Sequence, residues 1–212
     1  MSRYVTEAIG TFFLVLTIGM VSTAGSDAAP LAIGAALMVM VYMGGHVSGA
    51  HYNPAVTIAV HLRGALEKSE VLPYIAAQLV GAVLASVTVL VLTGATFGPA
   101  PGAGAGVGQV LLAEAIVTFA LALVVLNVAT APATKGNSYY GLAIGLTVLA
   151  GAYAVGPVSG GAFNPAVGIG PALVGAVADG DPLGNLWLYI VGPIVGGMAA
   201  VPVYRLQNAA RD

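Results

Sequence analysis

The chain has 212 residues, of which 58% are apolar and only 7% are Asp, Glu, Lys or Arg, against about 25% charged residues in an ordinary soluble domain. So few charges cannot cover a water-soluble globule of this size, which excludes a cytosolic enzyme and a disordered chain and leaves the bilayer as the expected solvent. Net charge is −2 and cysteine is absent, so there is no basic face for nucleic acid, no polybasic membrane patch, and no disulfide, thiolate metal site or thiol nucleophile.

Long apolar runs fall at Val5–Ala24, Leu31–Gly44, Tyr74–Thr93, Val110–Ala129, Tyr140–Val155 and Leu186–Tyr204. About 20 residues cross a bilayer as a helix, so six spans are predicted. The first run carries Glu7 and lacks a small-residue cleavage site, so it reads as a retained helix and not a signal peptide. Breaks rich in Gly, Pro, Ser and Asp separate the spans at Gly25–Pro30, Gly94–Gly108, Thr130–Ser138 and Asp179–Gly184. Within the second break, residues 98–108 are low in complexity and read as a flexible connector. Six spans with the N-terminus inside put Arg3, Arg63, Lys68, Lys135, Arg205 and Arg211 on the cytoplasmic side and Asp27, Asp179 and Asp181 outside. All six cations then obey the positive-inside rule, with both termini cytoplasmic.

The sequence repeats itself. Glu7-Ala-Ile-Gly-Thr-Phe12 matches Glu114-Ala-Ile-Val-Thr-Phe119, and Val47-Ser-Gly-Ala-His-Tyr-Asn-Pro-Ala-Val56 matches Val158-Ser-Gly-Gly-Ala-Phe-Asn-Pro-Ala-Val167. Tyr74, Gly81 and Ala85 match Tyr189, Gly196 and Ala200. Each unit has three spans, an odd number, so the second copy enters the membrane upside down. One domain over residues 1–212 is expected, with a first repeat to about residue 97, the connector at 98–108 and a second repeat from about 109 to 206.

Each repeat also holds an apolar stretch too short to cross, Asn53–Leu62 and Asn164–Val174. These are predicted to be re-entrant half-helices. Asn53 and Asn164 are good N-caps, and Pro54 and Pro165 sit at the first helical position, where a missing N–H costs nothing. The lead-ins Gly44–Tyr52 and Gly156–Phe163 are expected to be extended or turning chain, allowed at membrane depth only where protein buries them or water fills a cavity. Half-helices from opposite faces bring Asn53 and Asn164 together near the midplane. Each N-terminus carries roughly half a positive charge, which repels cations, while amide donors and lead-in carbonyls replace the hydrogen bonds of a neutral polar solute at little cost. Aligned donors also orient water so as to break a proton-conducting chain. The fold predicted is therefore an all-α membrane protein of six helices and two half-helices, and the function a channel for neutral molecules.

With both Asn-Pro-Ala segments, the Ser-Gly lead-ins, Glu7, Glu114 and the Tyr189–Gly197 segment in matched contexts, the sequence resembles the major intrinsic protein family, the aquaporins and aquaglyceroporins. The resemblance covers nearly the whole chain. It implies a pore in every subunit of a homotetramer, water and small uncharged solutes as partners, no cofactor and no enzymatic activity. Asn53, Pro54, Ala55, Asn164, Pro165 and Ala166 fall at the pore centre. The four positions of the family's selectivity constriction fall on Ile33, Ala152, Gly161 and Val167. Val167 stands where most of the family has Arg, so a wide apolar filter is implied, open to glycerol, urea, ammonia, hydrogen peroxide or neutral metalloid acids. A strict water channel would need another group to narrow it. A secondary transporter or ion channel lacks the coupling charges or acidic ring it would need.

Glu7 and Glu114 are intramembrane acids whose symmetry points to a structural task, accepting hydrogen bonds from the re-entrant backbone, with Ser48 and Ser159 beside them. His46 is expected to hydrogen-bond the lead-in. His46, His51 and His61 form no cluster with carboxylates, so no metal is expected. Ser48 lacks Gly-x-Ser-x-Gly spacing and a hydrolase elbow is excluded. Gly81-x-x-x-Ala85, Gly141-x-x-x-Gly145 and Gly192-x-x-x-Gly196 read as helix-packing seams.

Overall fold

The computed structural model describes residues 1–180 and 183–209. Asp181 and Arg211, both assigned to faces above, lie outside the described residues. Six long helices carry the apolar runs: α1 Ser2–Thr23, α2 Ala29–Ser48, α4 Lys68–Thr93, α5 Val107–Val125, α6 Tyr140–Ser159 and α8 Leu188–Asn208. All six are long and apolar enough to cross a membrane. Two shorter helices, α3 Pro54–Arg63 and α7 Pro165–Ala178, follow α2 and α6. At 1.5 Å per residue they span roughly 15 and 21 Å, so end to end they cover about one hydrocarbon thickness.

The three most extensive helix pairings are α5 with α8, α1 with α4 and α2 with α6. The first two are the same pairing in the two repeats, and the third joins the repeats. Lipid supplies no hydrophobic drive between helices, so close backbone approach and van der Waals contact hold them. The seams are built for that. A Cβ on Gly81 would lie 2.2 Å from Ala8 O, and one on its repeat mate Gly196 would lie 2.1 Å from Ala115 O. Gly34 and Gly145 interlock across α2 and α6, each Cβ position falling within 2.8 Å of the other's carbonyl oxygen. Outward faces carry Val91, Leu92, Leu112, Ile116 and Val195, all exposed.

Several boundaries differ from the sequence reading, four of them for clear physical reasons. Helices α2 and α6 run through Gly44 and Gly156 to Ser48 and Ser159, so only 49–52 and 160–163 are non-helical lead-in. The true stops are Gly49 and Gly160, both left-handed C-caps at φ 86° and 88°. Gly44 lies within the helix and leaves room for the Tyr52 hydroxyl: its Cβ would fall 1.9 Å from Tyr52 Oη. Helix α4 starts at Lys68, six residues before the apolar run, since Lys68 and Glu70 suit a first turn beyond the hydrocarbon. The end of the fourth span, Leu126–Thr130, is a π-helical turn. Its freed carbonyls at Asn127 and Val128 accept from Thr134 Oγ1 (2.6 Å) and Asn137 Nδ2 (2.7 Å) of the following loop.

The connector is not a free tether. Gly102 N–H donates to Val158 O at 2.9 Å, Thr96 hydrogen-bonds Asp179 beyond α7, and Gly160 abuts the Ala100 backbone. Composition suggested flexibility, but glycines here permit close packing on the end of α6: a Cβ on Gly102 would meet Pro157 O at 2.0 Å.

Candidate functional site

Helices α3 and α7 point their N-termini at each other. Asn53 Oδ1 accepts from Ala55 N at 2.9 Å, and Asn164 Oδ1 from Ala166 N at 2.9 Å, so each asparagine caps its own half-helix. Their amide nitrogens reach across. Asn53 Nδ2 donates to Phe163 O and Asn164 Nδ2 to Tyr52 O, both at 2.9 Å. Each side-chain amide retains a second N–H.

The lead-ins hold an unusual backbone. Ala50, Tyr52 and Phe163 have φ of 51°, 49° and 51°, and Gly161 has 66°. Left-handed residues other than glycine cost of order 1–3 kcal/mol each and persist only when surroundings fix them. The buried carboxylates do so. Glu7 accepts from Ser48 Oγ (2.7 Å) and His51 N (2.9 Å) on Oε1, and from Tyr52 N (2.7 Å) on Oε2. Glu114 repeats the pattern with Ser159 Oγ (2.7 Å), Ala162 N (3.1 Å) and Phe163 N (2.6 Å). Both glutamates are fully buried. Each carboxylate thus ties up the lead-in N–H groups, while the Tyr52 and Phe163 carbonyls accept from the Asn164 and Asn53 amides. The Glu114→Ala chain leaves the Ala162 and Phe163 N–H groups unpaired, an expected loss of about 2–6 kcal/mol at roughly 1–3 per group. A lower melting temperature in detergent, with lower water permeability, checks it.

His46 does not take part in this bracing. It is exposed and lines a cavity of about 870 Å³ at the face that carries the N-terminus. His46 lies on α2 before its stop at Gly49 with its side chain exposed, and Tyr74 braces the lead-in instead, donating from Oη to Ser48 O at 2.9 Å. Tyr189 does the same to Ser159 O at 2.7 Å. Both tyrosines mark the repeat in sequence, yet nothing there revealed their hydroxyls as braces. Gln78, Thr57 and the Phe97–Ala100 stretch of the connector also escaped the sequence reading. Gln78 has Pro193 at the matched position, so repeat symmetry could not single it out.

A central cavity of about 30 Å³ contains Asn53 and Asn164, with Leu14, Leu37, Val56 and Val148 among its apolar lining. It is narrow: the outer cavity on the far face has about 320 Å³. Ile33, Gly161 and Val167 line both, and Ala152 lines the outer one alone. Gly98 and Pro99 complete that outer wall. The lining of the central cavity joins the lead-in residues 50–52 and 161–163 and the two asparagines to apolar side chains.

A profile of the family described as "Major intrinsic protein" matches residues 1–204. Among curated relatives, the chain is 40% identical to "Probable aquaporin NIP-type" of Nicotiana alata, covering 97% of this chain and 77% of that one. It is 38% identical to "Glycerol uptake facilitator protein-like 6" of Lactiplantibacillus plantarum, covering 99% of each. Among solved structures, the aquaglyceroporin of Plasmodium falciparum superposes with a TM-score of 0.86 at 25% identity, covering 96% of this chain and 94% of that one. Six spans, two inward-facing half-helices and this likeness along almost the entire length have one explanation: the protein belongs to the major intrinsic protein family of membrane channels.

Proposed function

We propose that the chain is a passive channel whose pore admits water together with small neutral solutes of the glycerol and urea class. The observation that carries this is that Ile33, Gly161 and Val167 line both the central and the outer cavity, with Ala152 in the outer one; none of the four brings charge or ring, and two are among the smallest residues. The glycerol uptake facilitator among its relatives supports the same reading. Ammonia, hydrogen peroxide and neutral metalloid acids meet the same size and charge limits. Cations and protons are turned back by the facing positive ends of α3 and α7, with Asn53 and Asn164 as donors; Pro54, Ala55, Pro165 and Ala166 form the first turns behind them. The Ser48, Ser159, Glu7 and Glu114 braces support both tips.

Arg3, Arg63, Lys68, Lys135 and Arg205 lie at helix ends on one face, which supports cytoplasmic termini in a cell membrane. The subunit belongs in a homotetramer with one pore per chain. Residues 1–97 and 109–206 serve as the two inverted halves.

Stopped-flow swelling of proteoliposomes tests the reading. Both water and glycerol are expected to equilibrate faster than in empty vesicles, with no conductance in planar bilayers. Accelerated water with glycerol at the empty-vesicle rate would assign a strict water channel, and ionic current would overturn the exclusion by half-helix ends.

A further inference from the structure

The wall of the central cavity is symmetric. Every residue in it has its repeat mate in the same wall: Leu14 with Leu121, Ile33 with Ile144, Val56 with Val167, and likewise through the lead-ins. Contact fixes this register as firmly as sequence does. Gly34 and Gly145 are mates that approach each other reciprocally, and the Asn53 and Asn164 amides cross to the mated carbonyls of Phe163 and Tyr52. A pseudo-two-fold axis in the membrane plane therefore carries each feature of the outer half onto one of the inner half.

Applied to the outer constriction, the axis generates a second ring. Ile33, Ala152, Gly161 and Val167 map onto Ile144, Val41, Ala50 and Val56. Ile144, Ala50 and Val56 line the central cavity, and Val41 lines the inner cavity of about 870 Å³ as Ala152 lines the outer one. The rings differ in bulk. Val41 carries two more carbons than Ala152, and Ala50 one more than Gly161, while the other two positions keep Ile for Ile and Val for Val.

The cavities follow that difference. Toward the outside the lumen is continuous, since Ile33, Gly161 and Val167 face both the central and the outer cavity. Toward the inside, among the described residues, none faces both the central and the inner cavity. All four members of the inner ring are buried, whereas Ile33, Ala152 and Gly161 of the outer ring are partly exposed. We propose that Val41, Ala50, Val56 and Ile144, on the inner side of the asparagines, form the narrowest ring of the pore and are its size-determining residues. None of the four has a polar side chain, so a solute sheds its hydrogen-bonded water there in proportion to its width and its number of polar groups. Compact molecules with few such groups are favoured over longer polyols. The effect on flux rests on the channel reading above; the place of the narrowing does not.

Swelling of proteoliposomes carrying Val41→Ala, Ala50→Gly and Ala152→Val chains tests the assignment. Ala50 has φ 51°, a conformation that glycine adopts freely, so this variant keeps the test alive if Val41→Ala melts early. Removing carbons from the limiting ring is expected to raise the glycerol-to-water permeability ratio about three- to ten-fold, since single methylenes discriminate at this scale or above. Ala152→Val is expected to lower glycerol permeability by no more than about two-fold, because a second barrier in series with an equal one only doubles the resistance. Unchanged ratios in both inner variants, or a fall in Ala152→Val well beyond two-fold, would overturn the assignment. A parent chain that passes water but no glycerol would correct the solute range alone, and glycerol should then enter through Val41→Ala. An experimental density map of the full chain reads the narrowing without any flux: a lumen tighter at Ala152 than at Val41 would refute it even if every solute permeated as expected.

Discussion

Glycerol permeability of the Val167→Arg chain is expected to fall by about ten-fold or more, with a smaller loss for water. Val167 occupies the first turn of α7, is 3% exposed, and borders both the narrow centre and the wider outer cavity. A guanidinium there has about 320 Å³ of outer cavity to extend into, so the fold can accommodate it. Its stem and hydrated head would fill the side of the passage facing Ile33 and Gly161. A barrier rise of only about 1.4 kcal/mol for a three-carbon polyol gives the ten-fold drop. Water needs less width and can exchange hydrogen bonds with the new donor. Swelling rates in glycerol and sucrose gradients measure the two separately. Equal losses for both would mean that the substitution blocks the pore rather than narrowing it, and no loss would remove Val167 from the constriction.

The Gly196→Leu chain is expected not to assemble at all. Its Cβ would be placed 2.1 Å from Ala115 O and 2.9 Å from Phe119 N, which are backbone atoms that cannot step aside. Helices α5 and α8, the most extensive pairing in the protein, would have to separate. Lost contact along a whole seam exceeds the margin of a typical fold, about 5–15 kcal/mol. Aggregated elution from a sizing column and no cooperative melting are the expected readouts. Gly108→Ala is the control: nothing lies within 4 Å of its Cβ position, and alanine in a helix gains up to about 1 kcal/mol over glycine. A Gly196→Leu chain that melts like the parent would refute the close approach.

Much of the fold was legible because the bilayer enforces a coarse code. A span must be long and apolar, and an apolar stretch of ten residues behind Asn-Pro cannot be one. Duplication added the rest: Glu7 with Glu114 and Asn53 with Asn164 identified themselves as pairs. What escaped was set by packing rather than by composition. Gly44 reads as a helix stop but serves as a socket for Tyr52, and residues 98–108 read as slack although Gly98 and Pro99 line the outer cavity and Gly102 packs on the end of α6. His46 and His51 look alike in sequence, yet only His51 meets Thr57, because the stop at Gly49 turns the chain between them. Gln78 carried no signal, since a lone glutamine in an apolar run has no mate in the other half.

The crossed amides have a mechanical corollary. Asn53 is completed by a carbonyl from the second half and Asn164 by one from the first, so each tip is the other's missing wall. A single three-span unit on its own would hold a dangling donor and an empty acceptor. Two such units made as separate polypeptides would have matching halves of a clasp, and the channel would exist only while it stayed shut.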